Sequence, residues 1–135
     1  MSLAQSWTVP PSLPTPGGPY SLASITPDGI VHTAGLVAMD AHGRVIGPGD
    51  AAAQTREIFV QAITILDAAG ASLRDVIFAH VFVSDVFHYP AMNAAYREAF
   101  RESAAPLPPR YCIRADLVKA ELLVEIAFVA NKRTS

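Results

Sequence analysis

Apolar and polar positions change their period several times along the chain, and each change marks an element. Tyr20 to Thr26 and Ile30 to Val37 are short β-rich runs joined by Pro27-Asp28-Gly29, a turn sequence, and they predict a hairpin. Inside the second run, Ala34-Gly35 leaves a shallow patch, either a bulge or a place where a ligand approaches backbone. Asp50 can cap a helix beginning at Ala51, with Thr55, Ile58, Phe59, Ala62, Ile63, Leu66 and Ala69 as one apolar stripe. Arg56, Glu57 and Gln61 face elsewhere, and Gly70 stops the helix at Ala69. Asp75 to Ser84 reads as a strand with apolar residues on both faces, which implies cover on both sides. Pro90 suits the first turn of a second helix whose buried stripe is Met92, Ala95, Tyr96, Ala99 and Phe100. Arg101 to Leu107 is the exit loop, and two last strands run around Cys112 and Glu125.

The order β-β-α-β-α-β-β predicts an α+β fold, a mixed sheet with two helices packed on one side. One helical layer cannot cover both faces of the sheet, so the helix-free face is the expected surface for association with other copies. The pattern expects a single domain over residues 20–131, preceded by a Pro-rich extended segment over 1–19 and followed by a short tail, 132–135. Residues 8–19 hold too many Pro and Gly to sustain a helix or an interior strand. Met1 to Pro19 has no basic and apolar regions of the kind a signal peptide needs.

Composition sharpens this picture. Of the 135 residues, 51% are apolar and only 16% charged, with a mean hydropathy of +0.30. No run of about 20 apolar residues would make a membrane span, so covered surface between subunits is the commoner explanation. The formal net charge is −2 without blocks of like charge, which argues against a general nucleic-acid binder. No basic stripe, stacking aromatics at a strand surface or paired histidines support a ribonuclease. Cys112 is the one cysteine, too few for an intrachain disulfide or a structural zinc site, and the expected location is cytoplasmic. His32, His42, His80 and His88 are scattered, and no glycine-rich phosphate loop follows a strand. No metal or other cofactor is therefore expected.

The chemistry concentrates at Pro108-Pro109-Arg110-Tyr111-Cys112-Ile113-Arg114 and at Glu125. A period of two puts Arg110, Cys112 and Arg114 on one face. An arginine after a loop is more often solvated or salt-bridged, but the two prolines fix the direction of this one. Its planar fork of donors is what a site uses to hold a carboxylate. Cys112 is either a small buried hydrophobe or a thiol that the neighbouring guanidinium draws toward thiolate. Glu125 stands within Leu122-Leu123-Val124-Glu125-Ile126-Ala127, where an unpaired carboxylate would cost several kcal/mol. It must pair with a cation, shift its pKa upward or point out of the sheet. A carboxyl with raised pKa in a cleft is also how a general acid or base is prepared.

Taken in order, Pro19-Tyr20-Ser21, Thr33-Ala34-Gly35, Gln54-Thr55, Ala68-Ala69-Gly70-Ala71, Asn93-Ala94-Ala95-Tyr96, Pro109-Arg110-Tyr111-Cys112 and Leu123-Val124-Glu125-Ile126 resemble the Rid (YjgF-type) family of small deaminases. The Pro109 to Ile113 stretch, with Leu117-Val118-Lys119, is most similar to the RutC-like type, associated with 3-aminoacrylate. The resemblance implies a chorismate-mutase-like homotrimer with clefts between subunits. It also implies metal-free hydrolysis of enamine or imine carboxylic acids to the oxo acid and ammonia. By position, Arg110 would hold the substrate carboxylate and Glu125 would orient or activate the water. Cys112 would line the pocket, and Tyr20, Gly35 and Asn93 would shape its walls. Many members have Ser where this chain has Ala34, which opens the way to a larger or less polar enamine, such as a 2-aminomuconate-like one. The alternative function is a non-catalytic trimeric module that binds small carboxylates or acts like a chaperone.

Overall fold

The computed structural model describes residues 5–6 and 15–132. In chain order its main elements are β1 (Gln5–Ser6), β2 (Ala23–Ile25), β3 (Ile30–Thr33), α1 (Ala51–Ala68), β4 (Val76–Val83), α2 (Tyr89–Glu102), β5 (Arg110–Arg114) and β6 (Val124–Asn131). One sheet holds all the strands in the order β1-β2-β3-β6-β4-β5. Only β4 and β5 run parallel; the other neighbours are antiparallel. The expected α+β order is present, with β1 added at the edge. Most of the expected Pro-rich segment, residues 1–4 and 7–14, and the tail at 133–135 lie outside the described residues.

Local chemistry accounts for the helix ends. Asp50 caps α1, its Oδ1 accepting from the Ala53 N–H at 2.9 Å, and Gly70 at φ +79° ends it, as a left-handed glycine does. Pro90 sits in the first turn of α2, where its missing N–H costs no helical hydrogen bond. The helices meet through Phe59, whose ring lies edge-on to Tyr96, Phe100 and Phe128 at 5.4, 5.5 and 5.4 Å. The stripe of α1 is shifted from the sequence reading: Ala51, Gln54, Gln61 and Ile65 join the buried face. Ile63 is exposed, while Gln61 is buried because its amide donates to the Val37 carbonyl at 3.0 Å. That bond, made by a polar side chain, turns the buried face of the helix toward Gln61 and Ile65.

The hairpin is also shorter than the apolar runs suggest. β3 ends at Thr33, the chain steps out at Ala34-Gly35, and pairing with β6 resumes at Leu36 opposite Ile126. His32 pairs with Val129, so the resumed register carries one extra residue on the β3 side, which makes a bulge. The Thr33 hydroxyl patches the gap: it accepts from the Phe128 N–H at 2.9 Å and donates to the Ala34 carbonyl at 2.8 Å.

Alternation along the strands sorts every side chain to one of two faces. Val31, Ala79, Val81, Val124, Ile126, Phe128 and Ala130 are buried under the helices. The registers Glu125↔Phe82↔Ile113, Ala127↔His80↔Tyr111 and Val129↔Phe78 place those residues together on the helix-free face. Ile113 there is 50% exposed and Tyr111 40%.

Candidate active site

Arg110 opens the edge strand β5 on the helix-covered face, opposite the fully buried Ala79. Its guanidinium lies against α2. The carbon at its centre is 4.6 Å from the Tyr96 ring centroid and 5.8 Å from that of Tyr89, within cation–π range. Nη2 donates to Asn93 Oδ1 at 2.5 Å and reaches the Tyr89 hydroxyl at 3.5 Å; Nη1 meets Met92 Sδ at 3.8 Å. These groups wall a recess of about 260 Å3, shared with Arg97, Leu107 and Pro108. The sequence placed Asn93 in the wall of the substrate pocket. It is in this recess, with its amide oxygen already taken up by Arg110.

Cys112 shares the face of Arg110 and packs partly buried against the core, in register with Val81. Burial pushes its thiol pKa up, and this outweighs the pull of the Arg110 charge toward thiolate. Of the two readings of Cys112, the burial and the raised pKa favour the small, partly buried thiol over the thiolate. Arg114 continues the same face of β5 at its exposed end.

Glu125 is on the opposite side of the sheet. Strand β6 pairs it with Phe82, and the bulge at Ala34-Gly35 opens a hollow for its carboxylate. A β-carbon at Gly35 would come within 2.9 Å of Glu125 Cδ, so the missing side chain is what leaves room. Among the described residues, no hydrogen bond or ion pair meets that carboxylate. Burial raises the Glu125 pKa above its ordinary value, since the charged form loses hydration with no cation to offset it. Of the three options left open by the sequence, the upward shift is the one realised. The hollow belongs to a cleft of about 860 Å3, lined among others by Tyr20, His32, Ala34, Gly35, Met39, Val118, Lys119 and Glu125.

Tyr20, Gly35 and Glu125 thus share one cleft, and Arg110 and Asn93 another recess across the sheet. One chain does not bring them together. Two side chains have supporting roles that the sequence did not assign. Gln54, fully buried in α1, donates to the carbonyls of Gly47 at 3.1 Å and Glu121 at 3.0 Å and accepts from the Leu123 N–H at 2.8 Å. It thereby pins the entry to β6, two residues before Glu125. Tyr89 escaped notice because it adjoins Pro90 outside the apolar stripe. The spacing of Tyr89, Asn93 and Tyr96 at i, i+4 and i+7 was the available signal. The sequence reading also missed an aromatic strand surface. Phe78, His80 and Tyr111 stack on the helix-free face, and His80 Nδ1 lies 2.6 Å from the Tyr111 hydroxyl.

The fold is that of small α+β proteins with both helices on one face of a bulged sheet, and comparisons place it more closely. The chain belongs to the Endoribonuclease L-PSP family, the Rid or YjgF-type family, whose model matches residues 11–132. It is 43% identical over 123 residues to the 3-aminoacrylate deaminase RutC of Acinetobacter baylyi, covering 91% of this chain and 94% of that one. Among solved structures, the E. coli YjgF gene product superposes with a TM-score of 0.82 at 28% identity, covering 93% of this chain and 97% of that one. E. coli TdcF with bound serine gives a TM-score of 0.79 at 27% identity, covering 90% and 94%.

Proposed function

We propose that this protein is a cytoplasmic hydrolytic deaminase of small enamine and imine carboxylic acids, of the 3-aminoacrylate or 2-aminoacrylate type. It works as a homotrimer whose sites form between copies. One observation carries the reading: Arg110 and Glu125 project from opposite faces of one sheet. A substrate held by its carboxylate on Arg110 meets a Glu125 only if that residue comes from a second copy. The helix-free face, with Ile113, Tyr111 and Phe82 on it, is the apolar surface such an assembly would cover. The 43% identical relative is named for 3-aminoacrylate, which supports that substrate class here.

The chemistry follows from the groups. An enamine takes a proton on carbon and becomes an iminium; water adds to the imine carbon; nitrogen takes a proton and leaves as ammonia, and the oxo acid remains. Glu125, whose carboxyl holds its proton more tightly than usual, delivers the first proton and then, as the carboxylate, accepts one from water. Arg110 fixes the carboxylate end and so the distance between carbon and carboxyl. Cys112, held neutral, lines the pocket. Ala34 and Met39 leave the cleft wall apolar beside Glu125.

Freshly generated 3-aminoacrylate should release ammonia faster with the protein than in buffer, and Arg110→Ala should remove the difference. Equal rates with protein, variant and buffer would overturn the reading. A second reading, a trimeric module that binds small carboxylates without turnover, draws on the serine held by the TdcF structure. Calorimetric binding of a stable carboxylate with no ammonia from any enamine would favour it. The ribonuclease sense of the family description finds little support: the helix-free aromatic surface carries Glu125 and, among its described strand residues, no Lys or Arg to meet phosphates.

A further inference from the structure

The recess around Arg110 contains a hydroxyl to which nothing above assigns a task. Tyr89 begins α2 and is 43% exposed, so its ring serves no core packing. Its oxygen accepts from Arg110 Nη2 at 3.5 Å. The same Nη2 donates to Asn93 Oδ1, so Asn93 and Tyr89 meet one nitrogen of the guanidinium. A phenol oxygen that already accepts keeps its own O–H free to donate. Beneath the guanidinium, the Tyr96 ring supplies a flat shelf, and its buried hydroxyl has no hydrogen-bond partner. Arg110 is thus held on its face by Tyr96 and on one edge by Asn93, and its remaining N–H groups and the Tyr89 O–H belong to one small recess.

We propose that Tyr89 is a second donor to the substrate carboxylate, its O–H sharing with Arg110 the two oxygens of that group, and that Asn93 is the positioning residue that holds the Arg110 guanidinium beside it. This rests on the deaminase reading for the identity of the substrate but not for the binding event. A guanidinium alone holds a carboxylate in its own plane. A second donor of fixed position narrows how the carboxylate can turn on the guanidinium, and with it the approach of the imine carbon to Glu125. It also discriminates against carboxylate-free enamines, which would leave two donors unpaired.

The charged and titratable groups facing Tyr89 are Arg110 and Cys112 from β5, and Arg97 lines the same recess from α2. Hydrogen bonds from Asn93 and Arg110 and the Arg110 charge lower the Tyr89 pKa, so its proton is lost at a less alkaline pH than an ordinary phenol's. Once ionised, Tyr89 no longer donates and repels a carboxylate.

Calorimetric titration with acrylate, a stable three-carbon acid, tests this on the full-length protein. Tyr89→Phe should bind acrylate about tenfold more weakly at neutral pH, the loss of one charge-assisted hydrogen bond. It should also lack the alkaline fall in affinity shown by the wild type. With 3-aminoacrylate the same variant should raise KM more than it lowers kcat. Asn93→Ala should weaken acrylate and move the alkaline limb to higher pH, which a merely structural role would not do. Unchanged acrylate affinity in Tyr89→Phe, or an alkaline limb shared by wild type and variant, overturns the proposal. Acrylate binding that behaves as expected, without ammonia from any enamine, sinks the deaminase reading and leaves this one standing.

Discussion

Arg110 and Glu125 leave the same sheet in opposite directions. Arg110 is drawn into the helical layer by Asn93 and Tyr96, while Glu125 occupies the hollow beside Gly35 on the far side. The strands between them, β4 and β6, are regular over this stretch, so no rotamer change brings the two side chains onto one face.

Mixing variants tests the consequence directly. Arg110→Ala and Glu125→Gln copies should each be inactive alone. Coassembled in equal amounts, they should recover about a quarter of wild-type ammonia release, because a quarter of the sites pair an intact arginine with an intact glutamate. No recovery in verified mixed assemblies would place both residues of a site in one copy.

Glu125 should make stability and activity pull against each other. A carboxyl with raised pKa in the folded protein contributes nothing adverse below its ordinary value, given as 4.5, and costs stability as pH climbs through the raised value. Glu125→Gln should therefore melt a few degrees higher than the wild type at neutral pH, with the gap closing toward pH 4.5. Melting curves across that range decide it; a gap that widens on acidification would contradict the assignment.

Gly35→Ala should be costly for a reason confined to one contact. The new methyl would sit against the Glu125 carboxylate, costing about 1–3 kcal/mol in denaturant unfolding and displacing that carboxylate. The stability loss should shrink in a Glu125→Ala background, which frees the same space. Equal losses in both backgrounds would place the strain elsewhere.

Cys112→Ala should keep most of the activity. The buried, neutral thiol should also react with iodoacetamide more slowly than a free small thiol at mildly alkaline pH. Fast alkylation accompanied by loss of turnover would contradict a merely lining role.

Gln54→Ala removes a side chain that ties α1 to the start of β6 by hydrogen bonds. It should lower stability by about 3 kcal/mol, since the Leu123 N–H and two carbonyls lose their partner. The size of the denaturant shift checks it.

Much of this fold could be read from periodicity alone. Both helices, the ends of α1 at Asp50 and Gly70, and the doubly apolar β4 follow from local patterns that tertiary packing did not overrule. The errors arose where a polar side chain answers a distant backbone group. Gln61 looked like a solvent-facing residue until its bond to Val37, twenty-four residues earlier, turned it inward. The site was legible as a set of residue types but not as an arrangement. Alternation placed Arg110 and Cys112 together within β5, yet said nothing about which face of that strand corresponds to which face of β6. That relation depends on the parallel pairing of β5 with β4 and the antiparallel pairing of β4 with β6. The aromatic surface was visible in Phe78, His80 and Phe82 as alternate residues, but the uniform hydrophobicity of the strand obscured it.

The bulge between Thr33 and Leu36 has a simple counterpart in chain length. Removing one residue there would let β3 and β6 zip without interruption, keeping His32 opposite Val129 and Leu36 opposite Ile126. The shortened protein would have a smoother ladder, a free Thr33 hydroxyl and no recess for a carboxylate. One surplus amino acid separates a plain sheet from one able to hold a proton donor.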